Sequence, residues 1–119
     1  MRKCLYIDHE YHKKTKSTNF LSSLLEKDYE LTYCYMQGHK EKSLCSETPI
    51  ASHYDLVVCF QLLPVREAFH GINFDHGVIV PMYDGMLPLT DPLWGMYRDF
   101  RILNFSKTLH AIFHRNGYD

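Results

Sequence analysis

Apolar positions along this chain fall in short blocks separated by polar connections. The first block, Cys4, Leu5, Tyr6 and Ile7, turns abruptly polar at Asp8 and runs into the His- and Lys-rich stretch HEYHKKTKS. An apolar run, a polar loop and then a helix is the pattern of a first βα unit in a parallel α/β sheet. Phe20, Leu21, Leu24 and Leu25 recur at the spacing of a buried helical stripe, which predicts a helix from Ser17 to Asp28 capped by Ser17 or Thr18. Tyr29 to Met36 (YELTYCYM) reads as strand two, being rich in β-favouring Tyr and Thr. Residues 37–53 are polar, include Gly38 and Pro49, and read as a connection with one weak helix beside a sheet edge.

The second half continues the alternation. Asp55 to Gln61 (DLVVCFQ) is nearly unbroken apolar sequence, as in a strand covered on both faces. Pro64 suits the first turn of a short helix and Gly71 its end. Gly77 to Met82 is a fourth strand, with pairing expected to stop at Pro81, which has no N–H to donate. After the loop YDGMLPLT, Thr90 or Asp91 with Pro92 starts a helix that packs Leu93, Trp94, Met96 and Tyr97. Arg101 to Phe105 is the fifth strand. Ser106 then caps a last helix with Leu109, Ile112 and Phe113 on its apolar side, closed by Asn116-Gly117. This alternation predicts an α/β fold: a three-layer, doubly wound, five-stranded parallel sheet of Rossmann/flavodoxin-like type. Right-handed crossovers favour the strand order 3-2-1-4-5.

Composition narrows the picture without changing it. The 119 residues are 45% hydrophobic and 23% charged, which predicts one globular domain over 1–119. Because the chain stops at Asp119, where a further strand could begin, a domain boundary or a cut is expected there. A formal net charge of −1 gives no global reason to bind nucleic acid or anionic membrane. No apolar run reaches the roughly 20 residues of a membrane span, and the basic start MRKCLYIDHE is too short in apolar residues for a signal peptide. Cys4, Cys34, Cys45 and Cys59 form no CxxC pair, and three lie in predicted buried strands. That fits a reducing cytoplasm better than a disulfide scaffold.

In parallel α/β sheets ligands sit beyond the carboxyl ends of the strands, so the candidate chemistry is sought there. The first loop offers His9, His12, Lys13, Lys14, Lys16 and Ser17 beside a helix start, an arrangement suited to phosphate or carboxylate. A solvated connection is the plain alternative. No glycine precedes Gly38, which excludes a Walker A loop or a GxGxxG turn at this position. His9 or His12 is a candidate general base, with Asp8 as a neighbour to hold it, although adjacent strand residues point to opposite faces. The other strand ends supply Gln61, the Tyr83-Asp84-Gly85 turn and Ser106. Tyr83-Asp84-Gly85 is equally read as a turn with Asp84 bonding its own backbone, and Ser106 as a helix cap. Metal is not expected. His9 with His12, or His110 with His114, supplies two ligands, and no third stands at a recognised spacing. A phosphorelay receiver domain shares this topology, and Asp8 meets its need for an acid after strand one. Phe60-Gln61, however, stands where its phosphorylatable Asp belongs.

The segments KCLYIDHEYHKKTKS, YDLVVCFQLLP, VIVPMYDGM and ILNFSKTLHAIFHRNGYD resemble, in that order, the amino-terminal half of bacterial glycosyltransferases of the two-Rossmann (GT-B) fold. In that family a fifth strand ends in a serine opening a helix of the form S-x-x-L followed by a glycine, matched by Ser106, Leu109 and Gly117. The resemblance implies an acceptor-binding domain used in bacterial surface polysaccharide or glycoconjugate synthesis. The sheet rim would bind a sugar or lipid-linked glycan acceptor, and the domain itself would hold no cofactor. A carboxyl-terminal Rossmann domain would hold the nucleotide-sugar donor, so transfer is not expected from this half alone. In some inverting members a histidine after strand one deprotonates the acceptor, a part His9 or His12 would take, whereas retaining members lack that base, which leaves the stereochemical course open. Many members carry glycines after strand one. The His/Lys loop here departs from that pattern and favours an anionic acceptor, or a diphosphate reached through Lys13, Lys14 or Lys16. The resemblance places the domain in the cytoplasm, with peripheral contact at the inner membrane face open. The alternative is a free-standing flavodoxin-like binding module for a phosphorylated ligand or a protein partner, without catalysis.

Overall fold

A computed structural model describes residues 2–10, 19–81 and 88–103. Its elements are β1 (Arg2–His9), α1 (Asn19–Leu25), β2 (Tyr29–Met36), β3 (His53–Phe60), a 3₁₀ turn at Arg66–Phe69, β4 (Asn73–Val80), a second 3₁₀ turn at Pro92–Tyr97, and β5 (Arg101–Ile102). The five strands form one sheet in the order β2-β1-β3-β4-β5, and each neighbouring pair is parallel. The α/β doubly wound architecture expected from the alternation is therefore present.

The strand order corrects the expected 3-2-1-4-5. β3 lies between β1 and β4, not outside β2. The reason is in its composition: Val57 to Phe60 is buried without a break, and such a strand needs cover on both faces and neighbours on both edges. β2 keeps most of its residues partly exposed and takes the edge. The place outside β2 goes instead to a short return of the chain, where Cys34 and Ser46 form an isolated antiparallel bridge. The Tyr35 N–H donates there to the Cys45 carbonyl at 3.2 Å. No helix occurs between Met36 and His53, although a weak one is expected from the sequence.

Side chains alternate across the strands, so the two faces can be read from sequence parity. Leu5, Ile7, Cys34, Met36, Val57, Cys59 and Ile79 share one face with Leu63, Trp94, Tyr97 and Phe100. Cys4, Tyr6, Val58, Phe60 and Val80 share the other with Leu21 of α1. The 3₁₀ turns thus cover one side and α1 the other. Gly77 permits this cover, because a Cβ there would sit 2.6 Å from the Phe100 ring. Gly71, with φ of 80°, lets the chain turn from the first 3₁₀ segment into β4.

Several boundaries differ from expectation in informative ways. β4 begins at Asn73, because Asn73 and His76 pair with β3 while they and the intervening Asp75 face solvent. Its ladder stops at Val80, before Pro81, as expected. Leu24 is 59% exposed: α1 presents Leu21 and Leu25 to the sheet, and Leu24 lies off that stripe. Met96 is 51% exposed, since the tighter 3₁₀ turn buries only Trp94 and Tyr97. Asp91 caps that turn, its Oδ1 accepting the Leu93 N–H at 2.9 Å. Ser17, Thr18, Phe105 and the expected last helix lie outside the described residues.

Candidate functional site

In the order 2-1-3-4-5 the chain leaves β1 toward one side of the sheet and β3 toward the other. The switch point, where α/β sheets open a crevice, therefore lies between the carboxyl ends of β1 and β3. The two strands pair in register up to Ile7 opposite Cys59. Two residues further along stand His9 and Gln61, the two expected site residues that fall within the described chain. His12, Lys13, Lys14, Lys16, Ser17, Tyr83, Asp84 and Ser106 lie outside it.

Gln61 adopts φ of 70°, in the left-handed region. The Leu62 N–H donates across it to the Phe60 carbonyl at 2.8 Å, closing a γ-turn of the rarer, strained hand. A non-glycine residue held this way costs on the order of 1–3 kcal/mol and persists only where its surroundings over-determine it. Here the Gln61 N–H is fixed on the Val80 carbonyl at 2.8 Å, which extends the β3–β4 ladder one residue past β3.

The neighbouring strand end carries a carboxylate. Asp8 is 1% exposed, on the same face as Cys4 and Tyr6, and its Oδ1 accepts the main-chain N–H of His9 at 2.7 Å. That bond holds the exit of β1 through the backbone. Strand alternation sends the His9 ring to the opposite face.

The loop after β2 is tied to the loop after β3. The Lys40 N–H donates to the Leu63 carbonyl at 2.8 Å, and the Val65 N–H to the Glu41 carbonyl at 3.0 Å. The Leu63 N–H donates to Nδ1 of His39 at 3.2 Å, which makes Nδ1 the unprotonated ring nitrogen. Lys40, itself at φ of 64°, reaches Asp91 with Nζ 2.7 Å from Oδ2. The Lys40 ammonium and then the Leu93 N–H hold the Asp91 carboxyl below its ordinary range. The rim between β2 and β3 is thereby fixed by main-chain bonds and one ion pair.

Beside this rim, at the outer edge of β2, a cavity of about 380 Å³ is lined by residues including Glu10, Tyr35, Gln37, Glu41, Cys45, Ser46 and Glu47. A second, of about 130 Å³, adjoins it and shares Tyr35, Ser46 and Glu47. Gln37 Nε2 donates to Glu10 Oε2 at 3.4 Å across the mouth of the first. Among the described residues, the lining holds three carboxylates and no lysine or arginine. No sequence signal announces this trough. Its residues come from the end of β1, the end of β2 and the 37–53 connection, whose polar composition reads as plain loop.

Among the described residues no group of three or more His, Cys, Asp or Glu is placed to hold a metal ion. No helix among them is long and apolar enough to cross a membrane. Comparison of the chain with protein-family models, curated proteins and solved structures returns no match.

Proposed function

We propose that this chain is the acceptor-side Rossmann-like half of a GT-B-type glycosyltransferase serving bacterial surface polysaccharide or glycoconjugate synthesis. The observation that carries the reading is the switch-point rim, where His9 and the strained Gln61 end adjacent strands beside a trough of hydroxyl, amide and carboxylate groups. Carboxylates only accept hydrogen bonds and sugar hydroxyls donate them, so this lining suits a polyol. The absence of any glycine before Gly38 fits a half that leaves the nucleotide to another domain. The cytoplasm, where nucleotide-sugars are available, is the compartment this reading requires.

In this reading His9 accepts the proton of the acceptor hydroxyl as that oxygen attacks the donor's anomeric carbon, and the nucleoside diphosphate leaves. Such proton transfer contributes about 10²–10⁴-fold to rate. The test is sugar transfer by the full gene product from a panel of nucleotide-sugars. His9→Ala should lower kcat by about that factor with the acceptor KM little changed. No consumption of any nucleotide-sugar would overturn the proposal. The strand order 2-1-3-4-5, shared with flavodoxin-like sheets, favours a second reading as a non-catalytic binding module for a phosphorylated ligand. That reading gains if transfer is absent and phosphorylated compounds bind at the β1–β3 crevice.

A further inference from the structure

The loop that follows β2 is fastened by a bond that a proton can break. Residues 37–41 pass the carboxyl end of β1 and reach the segment that follows β3. We infer that this loop is a pH-gated strap over the rim between β2 and β3, closed while the His39 ring is neutral and released when the ring takes a second proton. Such a strap operates whatever ligand the rim takes, so it stands apart from the glycosyltransferase reading.

The closed state is set by the chemistry of one hydrogen bond. The Leu63 N–H can only donate, so His39 Nδ1, 3.2 Å away, must accept, and only a ring with no proton there can do so. An imidazolium carries a proton on both nitrogens. It would set N–H against N–H and leave the amide of Leu63, a residue 1% exposed, without that acceptor, an expensive arrangement away from water. Two further ties flank this bond: Lys40 N–H to the Leu63 carbonyl at 2.8 Å, and Val65 N–H to the Glu41 carbonyl at 3.0 Å. The charges around the ring supply the open state. Lys40 first, then the Leu93 N–H and, more weakly, His39 hold the Asp91 carboxyl below its ordinary range, which puts that carboxylate within electrostatic reach of the ring. Asp91 Oδ2 bonds Lys40 Nζ at 2.7 Å. Glu41 follows on the loop itself, and His9 and Glu10 stand at the exit of β1, where Gln37 Nε2 reaches Glu10 at 3.4 Å. Residues 61–65, on the other side, include no titratable side chain. A protonated ring is therefore repelled by the Leu63 donor and the Lys40 ammonium and drawn to Asp91, where it competes with Lys40. Lys40 also holds φ of 64°, a left-handed conformation that a lysine adopts at a cost, so opening relaxes the loop.

The test is amide hydrogen exchange in the isotope-labelled full chain at about pH 8 and about pH 5, the interval over which a histidine changes charge, with rates corrected for the intrinsic effect of pH. In the wild type, protection of the Leu63 amide should fall about tenfold between the two, and that of Lys40 and Val65 should fall with it as the strap opens. The amides of Leu5 and Val57, in the core of β1 and β3, should keep their protection. His39→Asn sets an amide oxygen near the place of Nδ1 and does not titrate, so Leu63 should stay protected at both pH values. His39→Ala removes the acceptor, and Leu63 should exchange quickly at both. Equal protection of Leu63 at the two pH values in the wild type, a fall that survives in His39→Asn, or full protection in His39→Ala would each overturn the strap. So would a fall confined to Leu63, because the loop would then stay closed, or one shared by Leu5 and Val57, because the whole sheet would then be loosening.

Discussion

Two polar groupings in this molecule are built in opposite ways. Arg66 is closed on itself. Its guanidinium makes two bonds of 2.9 Å to the Asp99 carboxylate and a third, at 3.0 Å, to the Met96 carbonyl. The rings of Phe69, Phe74, Tyr97 and Phe100 surround it with centroids 5.1–5.9 Å away. Charge, donors and apolar surface are all matched within the chain. The trough beside β2 is the reverse: among the described residues, its lining sets three carboxylates around open volume and includes no lysine or arginine. A cation already satisfied by its neighbours is architecture. The trough carboxylates border open volume and contribute little to the packing of the core.

The contrast is broken most severely at the ring that joins the Arg66 cluster to the sheet. Phe100 is 3% exposed and packs on Phe74, Tyr97 and the bare face of Gly77. Phe100→Ala should cost about 3–5 kcal/mol by denaturant unfolding. Next comes Arg66→Ala, which removes stacking and the bidentate pair together; about 1–3 kcal/mol is expected. Glu41→Gln in the trough should stay within about 0.5 kcal/mol in the same measurement. Equal losses at the two sites would abolish the distinction.

The smallest effect is a pH dependence. Arg66 holds the Asp99 carboxyl below its ordinary range, chiefly through their hydrogen bond. A depressed folded value means the stabilisation is present above the unfolded pKa of about 3.9 and is lost as pH falls through the folded one. The Tm gap between the wild type and Asp99→Asn should therefore be constant near neutrality and close below about pH 4. Because the Asp99 side chain is 59% exposed, the gap should also shrink with salt. A gap that widens in acid would show that another group sets it.

Much of the sheet was legible because its strands obey simple rules. β2 occupies Tyr29–Met36, the range its Tyr- and Thr-rich run predicts. The order was misread although the clue lay in the same residues: an apolar run such as Val57 to Phe60 belongs inside a sheet, and a half-exposed one such as β2 at its edge. The amino-terminal half of β4 was missed because Asn73, Asp75 and His76 hide a strand under polar side chains. His53 Nε2 and Asp75 Oδ1, 3.1 Å apart, pair across β3 and β4 in that polar half. His9 and Gln61 stand at the carboxyl ends of β1 and β3, the positions their places in the apolar runs predict. The left-handed turn at Gln61 had no signal, since glutamine carries no preference for it. The trough was illegible for a different reason. It exists only because residues 45–46 fold back on β2, a contact that no periodicity announces.

That fold-back has a consequence for solubility. β2 is the outermost ribbon, rich in residues that favour extended pairing, and its free margin is a template onto which another chain can add. The Cys34–Ser46 bridge occupies part of that margin. Trimming residues 43–48 would uncover main-chain donors and acceptors along with the cavity wall, and self-association would be its first symptom.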